Sequence, residues 1–424
     1  MPSAFRQSNG LWIIGGGIVG LASAFALAEA GHQVTLVDDD PDGQAASWGN
    51  AGHIAAEQIE PLASPATLRA APGMLLQRDS ALALPPGAVR AWLPFILRTI
   101  RASTPKRFAT GRTALASLLA GSMAAWKRLD ARLGSLDLVR DDGHFILWES
   151  AASARKGIAK WQALSSASVR FRPATVEELE RLTALTGHPS AGALRCLGSG
   201  HITSHDRLRS ALHLALDKAG VRRISARARL ERGLDQRCVV RLDGQAPVCP
   251  DMLLIAAGVG SQSLVEAIGH KVPMIAERGY HLHARGSEWP SDLPPVVFED
   301  RSMIVTRFEN GVRASSFVEM TAPGRPANPR RWESLWRKVN ALGLPIEQDA
   351  KPWMGQRPTL PDYLPAIGRS RQIPNLLYAF GHQHLGLTLA PVTAEIVTAL
   401  ATGRAPAIDI APFDLARFEG KIFA

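Results

Sequence analysis

Four glycines in six positions, Gly15-Gly16-Gly17-Ile18-Val19-Gly20, stand between a short apolar run, Leu11 to Ile14, and a long apolar stretch that reaches Ala30. This GxGxxG pattern constrains the chain more than any other feature, because three of its glycines each answer a separate steric demand. Gly15 permits the tight turn after a strand, Gly17 lets the main chain approach a pyrophosphate, and Gly20 lets helix and strand pack closely. The helix that opens at Ile18 and Val19 offers free N–H groups and the positive end of its dipole to a phosphate. A second strand, His32 to Val37, leads into Asp38, suited to accept hydrogen bonds from ribose hydroxyls. The βαβ beginning predicts an α/β, Rossmann-like dinucleotide-binding domain. A lone GxGxxG is weak evidence; the strand before it, the helix after it and Asp38 give it weight. The motif by itself does not choose between FAD and NAD.

The stretch from Leu11 to Ala30 is also long enough to pass for a membrane span or signal anchor. Its interrupting glycines, the missing basic segment ahead of it and the ordinary strand behind it favour strand, turn and helix instead.

Further along, Gly143 to Trp148 reads as a strand and Val176 to Leu185 as a helix, and Thr203 to Asp206 reads as a capping box opening the helix Arg207 to Ala219. A strongly hydrophobic strand, Asp251 to Ala257, runs into Gly258-Val259-Gly260, so the nucleotide domain resumes after an insertion. Strand-like runs at Tyr280 to Ala284, Val296 to Phe298, Met303 to Arg307 and Arg313 to Val318 predict an antiparallel sheet. Leu376 to Phe380, a glycine-bearing loop and a helix from about Pro391 to Ala401 return to nucleotide-domain style. The expected organisation is an FAD- or NAD-type domain over 10–90, 196–275 and 341–410, interleaved with an α+β substrate domain over 91–195 and 276–340 that carries a mainly antiparallel sheet.

A net charge of +10 raises nucleic acid, an anionic membrane or an acidic ligand as partners. The arginines are spread over the chain and lack the aromatic interleaving that stacks bases, which argues against nucleic acid. Val89 to Ile100 mixes Trp92, Leu93, Phe95, Ile96 and Leu97 with Arg90, Arg98 and Arg101, a composition that suits a membrane surface. A helix packed on its own domain is the favoured reading, since Pro94 interrupts the periodicity. Three irregularly spaced cysteines, Cys196, Cys238 and Cys249, make no disulfide framework or metal pair and point to a reducing, cytoplasmic setting. The histidine pairs His281/His283 and His382/His384 would each share a strand face if extended, but no cysteine or carboxylate at ligand spacing completes a set, and no metal is expected.

Ser47-Trp48-Gly49-Asn50-Ala51-Gly52, Ile255 to Gly260, Arg278-Gly279-Tyr280, Trp353-Met354-Gly355-Gln356-Arg357-Pro358 with Asp362, Pro365 and Gly368, and Gly381 to Gly386 stand in an order that spans almost the whole chain. In these segments the sequence resembles the D-amino-acid oxidase-like superfamily of FAD-dependent oxidoreductases. It looks most like the bacterial D-amino-acid dehydrogenase and glycine oxidase branch, and within it the D-hydroxyproline dehydrogenases that oxidise cis-4-hydroxy-D-proline. The resemblance implies FAD as cofactor, a small amino or imino acid as substrate, and hydride transfer from its α-carbon to the flavin. Quinone, oxygen or another carrier would take the electrons; no motif separates these, though the Val89 to Arg101 segment tilts towards a dehydrogenase peripheral to the membrane.

Carried over residue by residue, the resemblance makes Arg357 a bidentate clamp on the substrate carboxylate. Tyr280 and Tyr363 become walls or donors for a ring hydroxyl, and His384 a residue that faces the substrate; packing and a backbone-satisfied histidine are the alternatives. Cofactor contacts are expected from Gly15, Gly17, Ile18, Val19, Gly20, Asp38, Ser47, Asn50, Ala51, Gly52, Gly258, Gly381, Gly386, Leu387 and Thr388. His53, near the flavin edge, is a hydrogen-bonding residue or a covalent anchor. Two rival readings are an RNA-modifying flavin domain, which would be joined to a methyltransferase domain, and a non-catalytic electron-transfer subunit, which would need FAD but not Arg357.

Overall fold

The computed structural model describes residues 9–40, 43–75, 79–164 and 169–419. Leu11–Ile14 lies inside a six-stranded sheet of order Arg222–Ser225, Val34–Asp38, Leu11–Ile14, Met252–Ile255, Leu376–Phe380, Ala366–Arg369. All neighbours are parallel except the last pair. Both faces of its centre are covered, which is why the inner strands Leu11–Ile14, Met252–Ile255 and Leu376–Phe380 read as unbroken apolar runs, while the edge strand Arg222–Ser225 is mostly exposed. Leu11 and Ile13 pack into one core, with the helices Ile18–Glu29, His205–Lys218 and Gly386–Ala401; Trp12 and Ile14 turn to a second core behind the sheet.

The other large sheet has nine strands and is mainly antiparallel. Its order from one edge is Lys351–Thr359, Ile275–Ala284, Gly311–Thr321, Met303–Phe308, Val296–Phe298, His144–Trp148, Gly192–Leu197, Arg170–Pro173, and Leu82–Ala83 joins Gly311–Thr321. The helix Pro329–Ala341 covers one face through Leu335 and Val339. Two expectations of domain membership change here. Residues 351–359, expected in the nucleotide domain, form an edge strand of the substrate sheet, paired along their length with Ile275–Ala284. The helix Ser122–Arg132, expected in the substrate domain, packs Met123, Trp126 and Leu129 into the nucleotide core.

Two helix starts also differ from the sequence reading. His205–Lys218 is capped by Ser204, whose hydroxyl accepts from the Arg207 N–H, while Thr203 donates its hydroxyl to the Asp137 carbonyl. The last long helix begins at Gly386 and carries Pro391 inside it. Pro391 has no N–H for the Leu387 carbonyl one turn back. The buried indole N–H of Trp126 supplies that bond at 3.1 Å, so the helix passes through the proline without leaving an orphan acceptor. This helix is apolar enough to cross a bilayer by composition, yet it is largely buried as the central helix of the nucleotide core.

Pro94 likewise fails to break its helix, which runs Val89–Ala102. One side is buried through Phe95, Thr99 and Ala102; the other exposes Val89, Leu93, Leu97 and Ile100.

Candidate active site

One cavity of about 1180 Å³ runs between the two sheets, and most of the residues singled out in the sequence line it. At one end lies the glycine turn. Gly15 has φ +116°, a conformation closed to side chains, and its N–H donates to the Val37 carbonyl at 2.9 Å. The helix beginning at Ile18 has no side-chain cap, so its first N–H groups are free for a ligand, apart from that of Ile18, which donates to Ser47 Oγ at 3.1 Å. Asp38 faces the same turn, accepts from the Gly16 N–H, and is pushed up from the ordinary carboxylate range by burial.

At the other end Arg357 projects from the edge strand over Gly279, where a side chain would meet its guanidinium. Its Nη1 donates to Glu277 Oε1 at 3.2 Å and to the Phe317 carbonyl at 3.0 Å. Glu277 is fully buried and also accepts from Thr359 Oγ1 and the Tyr363 hydroxyl. The carboxylate therefore aims the guanidinium, while Nε and Nη2 have no partner among the described residues. His384 hydrogen-bonds Gln58 through Nε2 and leaves Nδ1 buried without a partner. Burial, with Arg357 and His53 nearby, lowers its pKa to about 3, so the ring is neutral at physiological pH. Ser315 Oγ and Gln356 Oε1, on the same cavity, are also buried and unpartnered.

The residues between these ends are held from the substrate sheet. His281 donates from Nδ1 to the Gly49 carbonyl at 2.9 Å and stacks on Trp353, and the buried Arg313 donates to the carbonyls of Trp48 and Asn50. The turn 48–50 is thereby fixed as cavity wall.

Residues 11–400 match the family model described as DAO, FAD dependent oxidoreductase. The chain belongs to this family. Among its relatives, a D-amino acid dehydrogenase of Ralstonia nicotianae is 31% identical over 434 residues, covering 96% of this chain and 99% of the relative. A D-amino-acid oxidase of Bradyrhizobium diazoefficiens is 28% identical over 420 residues, covering 96% and 98%. The solved glycine oxidase of Geobacillus kaustophilus superimposes with a TM-score of 0.72 at 20% identity, covering 96% and 98%, a likeness of fold.

The cavity fits the FAD that this family uses. A cradle of free helix N–H groups with an acidic residue beside it stands at one end, and unpartnered polar atoms at the other. Of the residues expected to contact the cofactor, Gly15, Gly17, Ile18, Val19, Asp38, Ser47, Asn50, Ala51, Gly258, Gly386 and Leu387 line this cavity. Four expected contacts stand behind the lining. Gly20 is a packing residue, since a Cβ there would lie 1.9 Å from the Gly15 carbonyl oxygen. Gly52 and Gly381 sit against Phe308 and Leu360. Thr388 is buried and accepts from the Ala55 N–H at 3.0 Å, so it fastens the 53–55 segment rather than touching a ligand.

Tyr280 needs the larger correction. It borders the cavity, but its ring is buried among Phe317 and Trp332 and its hydroxyl is committed to Glu319 and the Asn328 N–H, which leaves no hydrogen bond for a substrate. Tyr363 is buried on Glu277 and does not line the cavity. His281 and His283 share one face of the strand Ile275–Ala284, with ring centroids 6.5 Å apart, whereas His382 forms an isolated antiparallel bridge with Thr359 just before the 3₁₀ segment that holds His384, and its ring bonds Thr393. Gln58, Glu277, Ser315 and Gln356 escaped the sequence reading. Glu277 carried no distinct local signal, since it stands beside Arg278 in a strand that also holds His281 and His283, and only its complete burial singles it out.

Proposed function

We propose that this flavoprotein oxidises the Cα–N bond of a small D-amino or imino acid, with cis-4-hydroxy-D-proline as the preferred substrate and D-alanine, glycine and sarcosine as alternatives. The observation that carries the reading is Arg357, a cavity-lining guanidinium held on one nitrogen by Glu277 and open on its Nε and Nη2 edge. That edge matches a carboxylate bidentately, and the geometry would fix the α-carbon in place. FAD, when bound, supplies the two-electron acceptor for hydride. Neutral His384, Gln356 Oε1 and Ser315 Oγ supply unpaired donors and acceptors for the substrate amine and a ring hydroxyl. Apolar Met303, Phe317 and Met354 line the same cavity and suit a compact ring. The relatives named D-amino-acid oxidase and D-amino acid dehydrogenase support the D configuration.

The test is anaerobic mixing of the yellow protein with cis-4-hydroxy-D-proline, D-proline, D-alanine, glycine and sarcosine while flavin absorbance is followed. Fastest bleaching by the hydroxyproline is the expected result. Preference for another member discards that substrate, and no bleaching by any returns the electron-transfer subunit.

For the electron acceptor we infer a membrane carrier such as a quinone, reached by peripheral contact on the inner face of the cell membrane. The exposed side of Val89–Ala102 sets Val89, Leu93, Leu97 and Ile100 at helical spacing, beside Arg90 and Arg101. From Pro61 to Leu129 the chain has ten lysines and arginines and one acidic residue, Asp79, which pairs with Arg337. An apolar stripe within a basic surface matches an anionic bilayer. Co-sedimentation with phosphatidylglycerol vesicles, lost in a Leu93→Ser/Leu97→Ser variant, is expected; equal partition of both proteins discards the contact.

A further inference from the structure

His53, Glu57 and His144 meet where the nucleotide domain touches the nine-stranded sheet. His53 opens the short strand His53–Ile54, Glu57 follows it one turn on, and His144 opens the strand His144–Trp148. His53 Nε2 lies 3.6 Å from Glu57 Oε1, and His144 Nε2 lies 3.9 Å from the same oxygen. The two rings are 4.4 Å apart, and the side chains are 8%, 3% and 2% exposed in the order His53, Glu57, His144.

Neither separation is a hydrogen bond, which needs about 2.7–3.2 Å. Glu57 Oε2 and His53 Nε2 have no hydrogen-bond partner among the described residues, although both are buried. Three polar side chains are thus withdrawn from water and face one another without bonding, an arrangement that is costly unless something sits among them. Zinc bonds to nitrogen and oxygen of roughly 2.0–2.2 Å at a tetrahedral angle put ligand atoms about 3.3–3.5 Å apart. Both imidazole–carboxylate separations stand a few tenths of an ångström above that, and the three ligand atoms all lie within 4.8 Å of one another, close enough for small side-chain rotations to bring them onto one ion. Two imidazole nitrogens and a carboxylate are the donors of a borderline divalent ion; magnesium and calcium want shells of oxygen. The outer nitrogen of His144, Nδ1, lies 2.8 Å from Ser199 Oγ, which turns Nε2 inward in the way a supporting hydrogen bond orients a metal-binding histidine.

We propose that His53, Glu57 and His144 form a binding site for one divalent first-row metal ion, with zinc as the type. The ion would tie the 53–57 segment, whose His53 lines the cofactor cavity, to the substrate sheet through His144. Three protein ligands leave a fourth position for water. The proposal does not depend on which amino acid is oxidised.

The untagged flavoprotein is stripped with chelator, incubated with zinc chloride, desalted and assayed by elemental analysis. About one zinc per chain is expected for the wild type, and under about a tenth for Glu57→Gln and His144→Gln that keep their flavin colour. Cobalt loading of the wild type is expected to add ligand-field bands to the zinc-subtracted spectrum, a readout that needs no variant to fold. Wild-type protein without stoichiometric zinc or without cobalt bands overturns the site, as do coloured variants that keep the full metal content.

Discussion

At the pyrophosphate end of the cavity, the groups offered to a ligand are main-chain N–H groups at the start of the helix Ile18–Glu29, beyond that of Ile18 itself, shaped by glycine sterics. At the substrate end, Arg357, His384, Gln356 and Ser315 arrive from a sheet edge, a 3₁₀ turn and an inner strand, and Arg357 is aimed by a carboxylate on the adjacent strand. The first end depends on what is absent, namely side chains, and the second on which distant residues are paired. A substitution should therefore act as all-or-none on cofactor retention at one end, and as a graded loss of turnover at the other.

Gly20→Val is the severest test of that contrast. Its Cβ would stand 1.9 Å from the Gly15 carbonyl, and the helix start must move. The variant is expected to purify colourless; a yellow Gly20→Val protein would break the comparison. At the other end, Arg357→Ala should keep its flavin but lose kcat/KM on the order of 10²-fold or more, since orientation is lost. Arg357→Lys should recover little of it, because a lysine keeps the charge but not the fork. Loss of flavin from both variants would show that the two ends are not separable.

A smaller effect concerns acid. Burial holds His382 and His384 near a pKa of about 3, against about 6.5 in an unfolded chain. Below pH 6.5 the unfolded chain takes up protons that the folded protein refuses until near pH 3. Stability is thus fully present above pH 6.5 and falls through that window, approaching about 1.4 kcal/mol per pH unit for each histidine. Urea midpoints at pH 7 and pH 5 should differ, and by less in His382→Gln; an unchanged difference would mean that His382 is not held neutral. The glycine turn, Gly15 to Gly20, has no titratable side chain and should contribute nothing to this slope. The smallest expected change is Trp126→Phe, which leaves the Leu387 carbonyl without a donor beside Pro391 and should cost about 1–3 kcal/mol in chemical denaturation. A neutral result would show that the proline is tolerated without the indole.

The parts that were legible share a physical reason. The strands Leu11–Ile14, Val296–Phe298 and Leu376–Phe380 fall where the apolar runs place them, since a buried strand advertises itself locally. Asp38, Ser47, Arg357 and His384 line the cavity because they sit in motifs whose spacing is short enough to read. The misplaced features were those in which a distant residue overrides a local signal. Pro391 read as a helix start and Pro94 as an interruption, yet both stand inside helices: the Leu387 carbonyl is rescued by Trp126, and the other helix turns its proline to solvent. Tyr280 read as a ligand contact, but Glu319 across the sheet and Asn328 had already taken its hydroxyl.

By itself the sequence determined the dinucleotide fold and the pyrophosphate turn, because glycine sterics and strand periodicity act over a few residues; FAD as the cofactor followed from the family resemblance of motifs spread along the chain. Only the tertiary structure decided that residues 351–359 belong to the substrate sheet, that Glu277 aims Arg357, and that His53, Glu57 and His144 converge. Those facts depend on strand pairing between segments far apart in the chain, and pairing is settled by the burial of whole faces rather than by any local pattern.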